Sequence, residues 1–93
     1  MDTHNDIRMA QEKIQQEIAG YRMVVGAKQL HKVLLAGQAK KVYLAKDADP
    51  AITEPIARMC LENRVNFTWV HSMKDLGRAC KIDVGAAAAA AIE

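Results

Sequence analysis

Aromatic residues are scarce in this sequence. They make up 4% of 93 residues, as Tyr21, Tyr43, Phe67 and Trp69, which leaves little to build a row of stacking rings. No apolar run approaches the ~20 residues of a membrane-spanning helix. The opening Met1-Asp2-Thr3-His4-Asn5-Asp6 has neither a basic nor an apolar stretch, so a secretory signal is not expected. Cys60 and Cys80 form no C-x-x-C and no zinc-ligand spacing. His4, His31 and His71 stand apart from any second ligand. No metal or cofactor is expected, and no activating base can be assigned to a nucleophile. These absences predict a cytoplasmic, non-enzymatic protein with reduced thiols acting as small buried hydrophobes, and with no membrane contact.

What is present is a core. Hydrophobic residues reach 51%, enough to fold and too many for a disordered chain. The length predicts a single domain over residues 1–93. A net charge of +2 makes the chain only mildly basic, so the distribution of charge matters more than its sum.

Residues 3–19 have the spacing of an amphipathic helix, with Ile7, Ala10, Ile14 and Ile18 on one side and Gly20 as its stop. Asp6, Glu12 and Glu17 make that segment net negative. Arg22–Val25 is a short β-prone run. Leu30, Val33 and Leu34 then recur as one apolar stripe of a second helix, 27–36, ended by Gly37. Residues 42–45 read as a buried strand. Asp47-Ala48-Asp49-Pro50 is a turn that starts a helix, with Asp49 placed to cap and Pro50 in the first turn. Ile52, Ile56, Met59 and Cys60 give that helix, 51–63, its apolar stripe. Residues 66–70 alternate as a strand, with Phe67 and Trp69 on one face. Ser72 opens a short helix over 73–80, and 81–85 read as a loop that exposes Ile82 and Val84. The alanine run 86–91 fits either a helix, by propensity, or a buried central strand. The rhythm α-β-α-β-α-β-α-β argues for a three-layer α/β/α sandwich around one mixed sheet.

Two basic groups stand out. Lys28, Lys32, Lys40, Lys41 and Lys46 fall between Gly26 and Lys46 with no acid among them, and Lys74, Arg78 and Lys81 form the second group. Lys28 and Lys32 share a helix face, with Gln29 beside them, at a helix N-terminus where free N–H groups attract acceptors. That set can read nucleic acid, and a solvated helix face explains it equally. Asp47 and Asp49 need no catalytic role to be accounted for.

Two segments together resemble the L-seven-Ae ribosomal protein family, most closely its small bacterial members. Val25-Gly26-Ala27-Lys28-Gln29-Leu30-His31-Lys32 is similar to the glycine-plus-helix segment with which that family reads RNA. Leu76-Gly77-Arg78-Ala79-Cys80-Lys81-Ile82-Asp83-Val84-Gly85-Ala86-Ala87 is similar to its long signature, and Ala45-Lys46-Asp47-Ala48-Asp49-Pro50 to its turn. The likeness covers about residues 15–92 and leaves 1–14 as an N-terminal helical extension. It implies a four-stranded mixed sheet, and it decides for a strand over the alanine run. It implies binding to kink-turn RNA, a bent helix–bulge–helix with sheared G·A pairs, of ribosomal or riboswitch type. By position, Gly26, Ala27, Lys28, Gln29 and Lys32 would meet the G·A edges and nearby phosphates. Asp49 would lie near a flipped-out nucleotide, Ile82, Asp83 and Val84 would cover bulged bases, and Arg78 of the second basic group would also bind RNA. Two residues depart from the pattern. Lys81 replaces a glycine, and Met73 stands where a lysine is usual. The alternative is a ribosome-associated or assembly scaffold that docks a protein through the acidic residues 3–19.

Overall fold

A computed structural model of the chain describes residues 16–92. Of the helix expected over 3–19, residues 3–15 lie outside them, as does the extension 1–14. Residues 16–18 are helical, and Gly20 follows at φ +90°, the left-handed conformation that suits glycine at a helix stop. Then come β1 (Arg22–Val25), α1 (Ala27–Leu35), β2 (Lys41–Ala45), α2 (Pro50–Glu62), β3 (Asn66–Val70), α3 (Met73–Ala79) and β4 (Ala88–Ile92).

The sheet order is β1-β4-β2-β3. β2 and β3 are parallel, and β4 runs antiparallel to both β1 and β2. The sheet is therefore mixed, and β1, β2 and β3 all point one way. Strand alternation sends successive side chains to opposite faces. Val42, Leu44, Phe67, Ala88 and Ala90 meet Leu30, Val33 and Leu34 of α1 and Ile56 and Cys60 of α2. Tyr43, Ala45, Val70, Ala89 and Ala91 meet Ile18 and, from α3, Leu76 and Ala79. This is the expected α/β/α sandwich.

The alanine run is a strand. Ala88, Ala89 and Ala90 are fully buried at the centre of the sheet, where pairing on both edges outweighs the helical preference of alanine. Their short side chains let helices approach from both faces.

The stripe of α2 differs from expectation. Ile52 is 41% exposed and Thr53 only 2%. Ile56 and Cys60 set the phase of the buried face, and Thr53 lies two turns before Cys60 and three residues before Ile56. Ile52 lies one turn before Ile56 and falls on the flank of that face.

All three helices close in the same way. The residue after the cap turns left-handed, and two N–H groups reach back to the last carbonyls, in a Schellman closure. In α1 these are Gly37 N–H to Leu34 O at 3.2 Å and Gln38 N–H to Val33 O at 2.9 Å. In α2 they are Arg64 N–H to Leu61 O and Val65 N–H to Cys60 O, and in α3 Lys81 N–H to Arg78 O and Ile82 N–H to Gly77 O. Gly37 sits at φ +70°, Arg64 at +56° and Lys81 at +60°. The two basic residues bear the strain of a left-handed L-residue, about 1–2 kcal/mol each.

The segment before β1 is tied to the sheet at Glu17. Its Oε2 accepts from the Tyr43 hydroxyl and from Lys41 Nζ, each at 3.0 Å. Burial, and then the acceptor carboxylate, push the Tyr43 phenol far above its ordinary pKa. No helix among the described residues is long and apolar enough to cross a membrane.

Candidate nucleic-acid interface

β1, β2 and β3 run in one direction and each leads into a helix, so the N-termini of α1, α2 and α3 gather at the carboxyl ends of these strands. Open α/β sheets commonly bind ligands at that end. Two of the three first turns are closed by side chains. In α2, Asp49 Oδ1 accepts from the Ala51 N–H at 2.9 Å. In α3, Ser72 Oγ accepts from the Asp75 N–H at 3.1 Å, and Asp47 Oδ1 accepts from the Met73 N–H at 2.8 Å. Both carboxylates of the Asp47–Asp49 turn are thus helix caps, one of them for a helix that begins 26 residues later.

The first turn of α1 is open. Its N-cap is Gly26, no side chain caps it, and no acid lies in the turn. The N–H groups at the start of a helix have no partner within it, and they carry the positive end of its dipole. Gly26 adopts φ 102° and ψ 141°, a region that residues with a Cβ rarely enter. A Cβ built there would touch nothing within 4 Å, so the demand for glycine comes from the backbone alone. The Gly26 N–H donates to Ala88 O at 3.1 Å and pins this turn to the start of β4. Lys28, Gln29, His31 and Lys32 are exposed, while Leu30, Val33 and Leu34 bury the other face. Ala27, half-buried, opens the helix.

A second wall comes from residues 81–87. The closure at Lys81 turns the chain back along α3. Gly77 lets it lie close, since a Cβ there would collide with the Val84 carbonyl oxygen. The Ala86 N–H donates to Met73 O and the Ala45 N–H to Ala87 O, each at 2.9 Å. Asp47, Met73 and Ala86 therefore join three loops in one chain of hydrogen bonds. Val84 is 70% exposed, and Asp83 is exposed as well. Ile82 corrects the expectation that both aliphatics face outward. It is half-buried and packs against the core around Leu76 and Ala79. The residue after the left-handed position of a Schellman closure typically lays its apolar side chain back on the helix. With lysine in place of glycine, that closure left no mark in the sequence.

Arg78 and Lys74, one turn apart on α3, line a groove of about 320 Å³ together with Ile82, Asp83, Val84 and Gly85. Lys74 is the neighbour that the sequence reading left out of the site, and its i, i+4 relation to Arg78 was the signal. Met73 packs partly into the core and presents no charge. The first basic group divides. Lys28 and Lys32 lie on α1, and Lys46, whose N–H donates to Val70 O, follows β2 at the same end of the sheet. Lys40 and Lys41 flank the start of β2 beside Ala91, at the opposite end. Burial pushes the Cys60 thiol up to about 11 and raises that of Cys80, so neither is an activated thiolate at neutral pH.

A family model, the Ribosomal protein L7Ae/L30e/S12e/Gadd45 family, matches residues 8–93, a longer stretch than the quoted motifs cover. An RNA-binding protein of Geobacillus sp. (strain WCH70) is 49% identical over 84 residues, which are 90% of this chain and 99% of that protein. RNA-binding protein YbxF of Geobacillus stearothermophilus is 48% identical over 82 residues, 88% of this chain and 96% of its own length. Among solved structures, the Giardia lamblia 15.5kD RNA binding protein superposes with a TM-score of 0.80 at 24% identity, over 95% of this chain and 75% of its own. That structure shares the fold. With nearly the whole chain matched, the protein belongs to the Ribosomal protein L7Ae/L30e/S12e/Gadd45 family.

Proposed function

We propose that this chain is a non-enzymatic RNA-binding protein that recognises and stabilises kink-turn RNA. The observation that carries the reading is the open first turn of α1, flanked by Lys28, Gln29 and Lys32, beside two first turns that are closed. The names of its close relatives point to RNA as the partner, and the family resemblance points to the kinked form.

Each residue then has a task set by its chemistry. The backbone donors after Gly26 and Ala27 meet guanine or phosphate acceptors. Lys28 and Lys32 only donate, so they suit phosphates and guanine O6 and N7. Gln29 both donates and accepts, which fits the two edges of a sheared G·A pair. Asp49 keeps one carboxylate oxygen beyond its cap to accept from a base amino group. Val84 covers an unstacked base, with Ile82 beneath as support and Asp83 beside it. Arg78 and Lys74 neutralise the phosphates that pass the loop. The first turn of α1 and the Asp49 turn belong to strands two places apart, so these groups span roughly 10 Å of sheet edge.

The mechanism is capture of one conformation. Free kink-turn RNA exchanges between extended and bent forms. A protein that contacts only the bent form shifts the population by its difference in affinity, and moving it from 1:99 to 99:1 takes a preference of about 10⁴-fold. Bend geometry and a few base edges provide the specificity, so a long sequence need not be read.

The test is a titration of an end-labelled kink-turn duplex followed by energy transfer between its ends, beside a duplex whose G·A pairs are replaced by Watson–Crick pairs. The expected result is bending of the first and binding of the second weakened at least about 100-fold, the worth of two lost base-edge contacts. Equal affinity for both duplexes, or binding without bending, overturns the reading.

A further inference from the structure

A second groove, larger than the one at the Val84 loop, holds about 620 Å³ and lies between the turn at Ile18–Tyr21 and the far end of α3. Its lining combines three kinds of group. Ile18 and Met23 are apolar, Tyr21 is an aromatic ring 47% exposed, and Arg78 and Lys81 are cations. Arg78 lines both this groove and the smaller one at the loop, so the two are neighbours along α3. Lys74, Arg78 and Lys81 follow one another at i, i+4 and i+7, all exposed. Lys74 and Arg78 stand one turn apart on α3, roughly 6 Å along its axis, and Lys81 continues this basic ridge just past the helix end.

Lys81 stands where glycine would be unstrained. Gly37 fills the equivalent place after α1, and Arg64 repeats the basic choice after α2. A cation at the end of a helix complements the dipole, and Arg64 has that role without any groove lined by it among those described. Lys81 has the groove as well.

We propose that this groove holds an unpaired nucleotide of the bound RNA, beyond the kink, with its phosphate on Arg78 and Lys81 and its base against Tyr21. The site rests on the RNA reading given above and extends it. Asp83 and Asp75 are the acids nearest this ridge in sequence. Neither lines the groove, so the phosphate meets positive charge there.

The experiment compares a blunt kink-turn duplex with the same duplex carrying five unpaired uridines, placed in turn at each of the four strand ends. One of the extensions is expected to tighten binding by about ten-fold, the typical worth of one base stacked on an aromatic ring. Tyr21→Ala should remove that gain and leave the blunt duplex unaffected. Lys81→Gly should reduce the gain while raising the melting temperature of the free protein. Arg64→Gly should raise the melting temperature without touching the gain. If the blunt duplex binds tightly and no extension helps, the groove site is wrong and the kink-turn reading stands. If an extension helps equally in Tyr21→Ala and Lys81→Gly, the nucleotide lies elsewhere and the groove site is again wrong. If the wild type binds no kink-turn RNA, the functional reading fails and takes this site with it.

Discussion

α1 and α2 begin in the same setting and are finished in opposite ways. Each follows a strand that points the same way, each starts at the same end of the sheet, and each packs on the same face. α2 begins Asp49-Pro50, with the carboxylate closed onto the Ala51 N–H. α1 begins Gly26-Ala27 with no acceptor supplied by the protein. A capping side chain is worth about 1 kcal/mol, and α1 lacks this contribution while facing the solvent with two lysines and a glutamine. The difference separates a helix start that serves the fold from one left available to an outside acceptor.

The strongest way to break that contrast is to close α1. Gly26→Asp puts a carboxylate where the phosphates are expected and forces a side chain into φ 102°. RNA affinity should fall by more than about 100-fold through lost donors and like charge. The free protein should lose about 1–3 kcal/mol from backbone strain. Gly26→Ala, carrying the strain without the charge, should lose the stability and much less of the affinity. RNA titration and thermal melts of both variants separate the two effects.

The converse change opens a closed helix. Asp47→Ala combined with Ser72→Ala removes both acceptors from the first turn of α3. At about 1 kcal/mol per cap the pair should cost about 2 kcal/mol, or roughly 8–16 °C in a domain of this size. Asp47→Ala alone should also loosen the Met73–Ala86 link, seen as faster amide exchange at Ala86 than in Ser72→Ala.

The gentlest change sharpens the contrast without disturbing either helix. Lys32→Ala leaves the fold intact, since its side chain is exposed. The slope of log affinity against log salt should become shallower by about one counterion. An unchanged slope would remove Lys32 from the interface.

Much of this architecture was legible in the sequence because local chemistry and fold agree. Asp49-Pro50, Ser72 and the stripe Leu30–Val33–Leu34 each state a helix by themselves, and the alternation over 66–70 states a strand. What the residues alone missed or left open shares a cause, which is that non-local geometry chose between locally equivalent options. Ile52 and Thr53 both fit ahead of Ile56, and only packing against the sheet selects Thr53. Ile82 turns inward because of a closure that a lysine at the left-handed position conceals. The alanine run becomes a strand only when β1 and β2 are there to pair with it. Lys40 and Lys41 share a basic run with Lys46, yet a strand of five residues carries Lys46 to the opposite end of the sheet. In the candidate interface the glycine, the helix face and the Lys74–Arg78 pair were readable from spacing, whereas the inward turn of Ile82 and the groove beside Tyr21 required the path of the chain.

The alanine strand has a consequence for how the molecule assembles. β4 lies between β1 and β2, so neither strand has its inner neighbour until residues 88–92 exist. The pairing of Arg22 with Ile92 closes a loop of seventy residues. Contacts this distant in sequence must overcome their entropy of closure before any of them stabilises the chain. Without β4, β1 has no strand partner and β2 has only β3, so the four-stranded sheet is complete only once residues 88–92 are in place. The interface depends on the same strand, because the Gly26 N–H is fastened to Ala88. The open turn of α1 is thus held in its shape by a central strand of the sheet.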